Sequence, residues 1–356
     1  VKKVSHQQVV KLLHNKFVVV LGDSIQRAVY KDLVLLLQKD KYLTVSQLRS
    51  KGEKSFEQDC LVEGGCLSPL HNGTAYREVR QYQSDHHLVR FYFVTRVYSP
   101  YMKSILNDFR RGPKPDVVII NSCVWDISRS WIEDYKENLH QFFDALNGVL
   151  PMESLVIWNV TMPLAEKIKG GFLVIKHKMP HLRMDVIEAN FFSGKLADGY
   201  GLDVLDLHFQ FRFSLQHRAK DGVHWNTIAH RRISWLLLQH IADAWGVVLP
   251  CPLASVEGNP SIHFLLLIRG TPRLPSPWTR PPAPPVGPQG IPRPAERQSL
   301  QRVLGLPRGL LPVGHAQNTS LGRRPGGILS RCPSHLNWFL SMCRSSGSTP
   351  SSSPYP

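Results

Sequence analysis

Short runs of apolar residues alternate along the chain with longer segments in which apolar residues recur every three or four positions. A short continuous apolar run rich in β-branched residues is typical of a strand buried on both faces, whereas the longer period is typical of a helix. The runs predict strands at residues 17–21, 88–97, 116–120, 155–160 and 204–209. The longer period predicts helices at residues 1–16, 25–38, 101–110, 131–150, 179–196 and 227–245.

This alternation of strands and helices predicts a parallel sheet that is covered by helices on both faces. We therefore expect a three-layer α/β/α sandwich with a five-stranded parallel, flavodoxin-like sheet. Residues 43–84 follow neither period and contain the turn signals Gly64-Gly65 and Asn72-Gly73, so they are predicted to be a long irregular segment. In such folds, functional groups gather at the carboxyl edge, where the carboxyl ends of the parallel strands meet.

Composition divides the chain into two parts. Residues 253–356 hold 18 of the 27 prolines, 11 arginines, no lysine and two acidic residues, a net charge of +9. Residues 1–252 hold 32 of the 43 Lys and Arg and 25 of the 27 Asp and Glu, a net charge of +7. We predict a folded domain at 1–252 and a disordered Pro/Arg/Ser-rich tail at 253–356.

The basic tail raises the question of partners. Arg269 to Pro275 fits the basic-x-x-Pro-x-x-Pro form of an SH3 ligand, so an SH3-type partner for the Pro272–Pro275 region is one prediction. Aromatic residues do not interleave with the basic ones, so we expect no nucleic-acid partner. No apolar run is long enough to span a membrane and no signal peptide is visible, so the expected location is cytoplasmic or nuclear.

Ser24 lies where the first predicted strand ends and the first long helix begins, after the turn residues Gly22-Asp23. A helix start offers unpaired backbone N–H groups and the positive end of the helix dipole. Two interpretations are open at this position. The hydroxyl of Ser24 caps the helix, or it is a nucleophile whose oxyanion the helix start stabilises.

Two further segments supply groups that a serine nucleophile needs. Asp221 and His224 lie three residues apart in one predicted loop, a spacing that lets the carboxylate orient the imidazole ring. Asn121 follows the third predicted strand and has an amide that can donate to an oxyanion. Each has a structural alternative: Asp221 caps the last helix, His224 packs against Trp225, and Asn121 forms a turn. Asp206, at the end of the fifth predicted strand, is an alternative orienter for His224.

Taken together, Gly22-Asp23-Ser24, Asn121 and Asp221-x-x-His224 resemble blocks I, III and V of the GDSL/SGNH hydrolase superfamily. The longer matches 22–27, 121–126 and 221–225 resemble its PC-esterase branch, and the resemblance covers about residues 1–250. It implies that Ser24 is the nucleophile, His224 the general base and acid, and Asp221 its orienter, while Asn121 and the Ser24 N–H donate to the oxyanion. It also implies acyl-ester chemistry, on carbohydrates or glycoconjugates, with no metal or organic cofactor.

The chain departs from the superfamily pattern at two places. Ile119 stands where the third block usually has a glycine, and the second-block glycine has no counterpart near Arg96 or Tyr98. The leading prediction is therefore a serine acyl-esterase or acyltransferase that acts through an acyl-serine. The alternative is a catalytically degenerate esterase fold that binds protein partners through its Pro-rich tail. Six cysteines are too few for a disulfide scaffold in 356 residues.

Overall fold

The computed structural model describes residues 1–69, 73–122, 124–169 and 180–250. The strands in these ranges are β1 (Lys16–Gly22), β2 (Cys60–Gly64), β3 (Glu78–Gln83), β4 (His87–Phe93), β5 (Val117–Ile120), β6 (Leu155–Asn159) and β7 (Asp203–Leu205). The helices are α1 (His6–Leu12), α2 (Ser24–Gln38), α3 (Val45–Arg49), α4 (Pro100–Arg111), α5 (Val124–Ile127), α6 (Ile132–Asn147), α7 (Leu182–Gly199), α8 (Leu207–Phe211) and α9 (Thr227–Ala244).

These strands form one sheet in the order β2-β3-β4-β1-β5-β6-β7. The pairs β4–β1, β1–β5, β5–β6 and β6–β7 are parallel. Numbered by themselves along the chain, these five parallel strands have the order 2-1-3-4-5, which is the flavodoxin-like order. The predicted parallel core and its order are confirmed.

The sheet is larger than predicted, because β2 and β3 extend it by two antiparallel strands. Both lie in the segment 43–84 that was predicted to be irregular, and that prediction was wrong. The reason is visible in β3, where the buried positions include the charged residues Glu78 and Arg80, each with no exposed surface. A strand that buries ion pairs has no hydrophobic alternation to reveal it.

Both faces of the sheet are covered by helices, as the sequence predicts. Val18 and Val20 of β1 pack in one core cluster with α2 and α9, whereas Val19 and Leu21 pack in the other with α4, α6 and α7. Alternate residues of β1 therefore serve opposite cores. This explains why residues 17–21 of β1 are all apolar, rather than apolar only at every second position.

The fifth predicted strand, 204–209, is corrected by the structure. Strand β7 ends at Leu205, and helix α8 starts at Leu207. The side chain of Asp206 accepts a hydrogen bond from Phe209 N at 2.8 Å and so caps α8. An N-cap aspartate turns an apparently continuous apolar run into a strand followed by a helix.

A buried ion pair joins the two helices that flank the predicted catalytic residues. Arg231 of α9 donates through Nε to Asp32 of α2 at 2.9 Å, and Ser234 Oγ donates to the same carboxylate at 2.6 Å. Asp32 and Arg231 have no exposed surface. Helix α2 begins at Ser24 and α9 follows His224, so this contact connects the two distant segments that supply those residues.

No helix in the described ranges combines the length and the apolar character that crossing a membrane requires. The predicted tail 253–356, with its SH3-type segment, lies outside the described residues, and both stay predictions.

Candidate active site

Asp23, and not Ser24, caps helix α2. Asp23 is the N-cap residue of α2, and its Oδ1 accepts a hydrogen bond from Ile25 N at 2.9 Å. Ser24 is the first residue of the helix, where a backbone N–H has no partner within the helix. The capping interpretation of Ser24 was therefore wrong by one residue, and its hydroxyl is left for another partner.

That partner is His224. Ser24 Oγ lies 2.8 Å from His224 Nε2, and His224 Nδ1 lies 2.7 Å from Asp221 Oδ2. The side chains of His224 and Asp221 are 43% and 34% exposed. The structure thus brings Ser24 together with Asp221 and His224 in one hydrogen-bonded line at the carboxyl edge, although Ser24 and His224 are 200 positions apart in the chain. In this geometry the imidazole can accept the serine proton while the carboxylate holds the ring.

The loop 221–224 shapes the carboxylate end of this line. Asp221 Oδ1 accepts hydrogen bonds from Val223 N and His224 N, both at 2.9 Å. Burial alone would raise the pKa of Asp221, but these backbone bonds and the His224 ring lower it below its usual value. Gly222 makes the turn possible, since its φ is +85° and a Cβ there would lie 2.8 Å from Lys167 O. Asp221 is therefore held ionised and oriented.

Asn121 lies beside the end of strand β1, where Gly22 leaves room for its backbone. A Cβ on Gly22 would lie 2.9 Å from Asn121 O. The side-chain amide nitrogen of Asn121 donates to Asn159 O at 2.8 Å and to Thr161 Oγ1 at 3.1 Å. The backbone of Thr161 is in turn clamped by Asn190, which accepts from Thr161 N and donates to Thr161 O. The side-chain amide of Asn121 thus donates to the last residue of β6 and to the segment that follows it.

Asp126 is a buried carboxylate near the site that sequence reasoning missed. It is 2% exposed, and its Oδ2 accepts from Ser122 Oγ at 2.6 Å and from Val97 N at 3.1 Å. Burial raises the pKa of Asp126 to about 6. It ties the loop after β4, where the superfamily pattern has its second block, to the loop that carries Asn121. Its motif position, five residues after Asn121, was the only sequence signal.

His230 is a second buried group that was missed, one turn into helix α9, which follows His224. It is 1% exposed, and its Nδ1 has no hydrogen-bond partner among the described residues. Burial, with a contribution from His224, lowers the pKa of His230 to about 3. The ring is therefore neutral under physiological conditions and adds no charge near the imidazole of His224.

The remaining candidates do not join the site. Asp206 caps α8, and the ring of His224 is bonded to Asp221 instead, so Asp221 is the orienter in this geometry. Among the described residues, no group of three or more His, Cys, Asp or Glu side chains is arranged to hold a metal ion.

A small cleft opens beside the hydrogen-bonded line. Its atom-free space is about 360 Å³, including the part open to solvent. The neighbours of the reactive residues line it, namely Asp23 and Ile25 on either side of Ser24 and Val223 next to His224. The rest of the wall is Gln26, Asn121, Val124, Val160, Thr161, Met162, Leu164 and Leu207. The cleft is therefore mainly apolar and adjoins the atoms that would react.

The sheet of flavodoxin-like order carries a Ser–His–Asp line at its carboxyl edge, an arrangement of the kind that serine hydrolases use. PC-esterase domain-containing protein 1A from Homo sapiens is 60% identical over 250 residues, which cover 68% of this chain and 55% of that protein. PC-esterase domain-containing protein 1B from Homo sapiens is 52% identical over 297 residues, 77% of this chain and 68% of that protein. The chain belongs to the PC-esterase domain-containing protein 1 family.

The chain spans about half the length of the 1A relatives, 55% of the human and 56% of the Mus musculus protein. No protein-family model matches the chain. Among solved structures, a lipolytic protein of the G-D-S-L family from Veillonella parvula is 11% identical with a TM-score of 0.37, covering 63% of this chain and 96% of that one. The acetyl xylan esterase AlAXEase is 18% identical with a TM-score of 0.38, covering 63% and 98%. The family assignment rests on the curated relatives.

Proposed function

We propose that the chain is a serine acyl-esterase in which Ser24 is the nucleophile, His224 the general base and acid, and Asp221 the orienter. The observation that carries this proposal is the pair of short hydrogen bonds, 2.8 Å from Ser24 Oγ to His224 Nε2 and 2.7 Å from His224 Nδ1 to Asp221 Oδ2. The half-exposed imidazole is accessible to a leaving alcohol, and the lowered pKa of Asp221 keeps a carboxylate opposite it.

The reaction proceeds in two displacement steps. Ser24 Oγ attacks the ester carbonyl carbon and transfers its proton to His224 Nε2, while Asp221 stabilises the imidazolium. Collapse of the tetrahedral intermediate breaks the ester C–O bond, and the imidazolium protonates the departing alcohol oxygen. Water then attacks the acyl-serine with His224 again as the base, which releases the acid and restores Ser24. An alcohol in place of that water gives acyl transfer.

The oxyanion is stabilised in this scheme by the N–H of Ser24 and by the amide of Asn121. The Ser24 N–H is a helix-start donor next to the attacking oxygen. The Asn121 amide keeps its bond to Asn159 O, and the oxyanion takes the place of Thr161 Oγ1 as the acceptor of the other N–H. In the free enzyme, Thr161 Oγ1 accepts this hydrogen bond and so orients the amide of Asn121.

The proposed substrate is an acyl ester with a small, acetyl-like acyl group. The wall of the cleft beside Ser24 is mainly apolar, which suits the carbon chain of a small acyl group. A carbohydrate or glycoconjugate as the alcohol is the class that the family resemblance implies. His224 faces outward, which leaves space in solvent for an alcohol of that size.

The test is hydrolysis of p-nitrophenyl acetate by the purified protein and by Ser24→Ala. We expect the variant to lose at least about a thousandfold in kcat/KM, because the residual rate without a nucleophile comes only from binding and oxyanion donors. Ser46→Ala, at an exposed serine of α3, is the matched control and keeps the wild-type rate. A fluorophosphonate probe adds a second readout, since it labels only an activated serine. Equal rates in wild type and Ser24→Ala, with no labelling of the folded protein, would favour the binding-module alternative.

A further inference from the structure

In the described part of the chain, three helices have a glutamine at the third helical position. In α1, Gln8 Oε1 accepts from the N-cap backbone Ser5 N at 2.8 Å, and in α3, Gln47 Oε1 accepts from Thr44 N at 2.9 Å. Both pairs form capping boxes. In α2 the N-cap Asp23 and Gln26 have the same spacing, but the box is not closed. The same residue at the same position therefore has another use in α2.

The side chain of Gln26 packs against Gly22, the last residue of strand β1. It is 1% exposed, and a Cβ on Gly22 would lie only 2.3 Å from its Cγ, so its stem is packed on that glycine. Its Oε1 is buried and has no hydrogen-bond partner among the described residues. The residue lines the cleft next to Ser24. Buried side-chain oxygens in native proteins normally have a hydrogen-bond partner. Gln26 Oε1 can therefore accept a hydrogen bond from a ligand in the cleft.

The orientation of a bound ester follows from His224. The leaving oxygen has to reach His224 Nε2 to be protonated, and the side chain of His224 is 43% exposed, so the alcohol part extends outward. The acyl part then points inward, into the cleft that Gln26 lines. The side-chain amide of Gln26 consequently meets the acyl group.

Resting on the function proposed above, we infer that Gln26 is a specificity residue whose Oε1 accepts a hydrogen bond from the acyl group. The preferred substrates are esters of short acyl groups that carry a hydroxyl, in place of plain aliphatic acyl groups of the same length. The apolar wall contacts the carbon chain, and the hydroxyl donates to Gln26 Oε1, a buried acceptor without a partner among the described residues.

The test compares binding of butyramide and 3-hydroxybutyramide, two unreactive amides that differ by one hydroxyl, to the Ser24→Ala protein by NMR titration. We expect the hydroxylated amide to bind about tenfold more tightly, because a buried acceptor gains its partner. The preference falls to about one in Ser24→Ala/Gln26→Met, which has an apolar side chain of similar length. Ser24→Ala/Gln8→Met, altered at the capping-box glutamine of α1, is the matched control and keeps the tenfold preference.

Equal affinities in Ser24→Ala, an unchanged preference in the Gln26→Met protein, or no binding of either amide would overturn the inference. The measurement uses a variant without a nucleophile and so does not depend on turnover. A failure of the proposed esterase function appears instead as Ser24-independent hydrolysis of p-nitrophenyl acetate, so the two failures are distinguishable. In an active enzyme, the same effect appears as a drop of about tenfold in the kcat/KM ratio of the 3-hydroxybutyryl over the butyryl p-nitrophenyl ester on Gln26→Met substitution.

Discussion

Helix α2 carries polar groups into two regions that use them in opposite ways. At its first residue, Ser24 joins the half-exposed line to His224 and Asp221 at the carboxyl edge. One turn later, Arg27 joins a buried network by donating to Glu78 at 2.9 Å. In that network Arg80, with no exposed surface, donates through Nε and Nη2 to the two oxygens of Asp59, each at 2.8 Å.

The difference lies in what the charges face. In the buried network the cations surround the carboxylates: burial alone would raise the pKa of Glu78, but Arg27, Tyr76 and Arg80 lower it. The network thereby holds the antiparallel strand β3 against α2. At the active site the line ends on a serine oxygen beside a cleft. The buried network pairs its charges with one another and stabilises the fold. The Ser24–His224–Asp221 line instead leaves the oxygen of Ser24 next to a cleft.

The largest effect is expected at the orienting carboxylate, in the variant Asp221→Asn. The asparagine oxygen can keep accepting from Val223 N and His224 N, so the loop stays in place. Its amide, however, would donate to His224 Nδ1 and leave the imidazole in the wrong tautomer. We expect kcat for p-nitrophenyl acetate to fall about 10⁴-fold, with little change in the unfolding midpoint. A rate within a factor of ten of wild type would remove Asp221 from the proposed line.

A smaller effect, on stability rather than rate, is expected in Arg80→Met. The variant removes the cation that pairs with the buried Asp59 and leaves Glu78 with Arg27, so the free energy of unfolding should fall by about 3–5 kcal/mol in urea denaturation. The control is Lys16→Met, which breaks the partly exposed pair with Asp116 and should cost less than about 1 kcal/mol. If the two variants were equally stable, the network would be dispensable for the fold.

The smallest of the three effects concerns His230, which is buried beside the site without an ionic partner. Its folded-state pKa of about 3 lies below the value of about 6.5 for an unfolded histidine, so the unfolded chain binds a proton first as the pH falls. Stability is therefore lost on acidification below pH 6.5, by about 2 kcal/mol down to pH 4.5. In His230→Gln this part of the pH dependence should vanish in denaturation curves recorded across that range. A slope identical to wild type would contradict the assignment.

The same contrast explains which features the sequence could predict. The parallel strands were predictable because two-sided burial leaves continuous apolar runs, as at 17–21, and the position of Ser24 at a helix start was predictable because it follows such a run. Strand β3 was not, since its buried residues Glu78 and Arg80 resemble a solvated segment. The partners of Asn121 are Asn159 and Thr161 at the end of the neighbouring strand β6, and only the strand order reveals that proximity. The N-cap was misplaced by one residue because adjacent aspartate and serine are equally good caps.

The separation of Ser24 and His224 along the chain also has a consequence for the order of assembly. The contact between them spans 200 residues, and the pair Asp32–Arg231 that fastens their helices spans 199. Contacts of such sequence separation form late, after the loop-closure entropy of the intervening chain has been overcome. During synthesis, Ser24 therefore leaves the ribosome long before His224 and lacks this hydrogen-bond partner until almost the whole domain has been made. The Ser24–His224 hydrogen bond is in this sense a marker of completed folding.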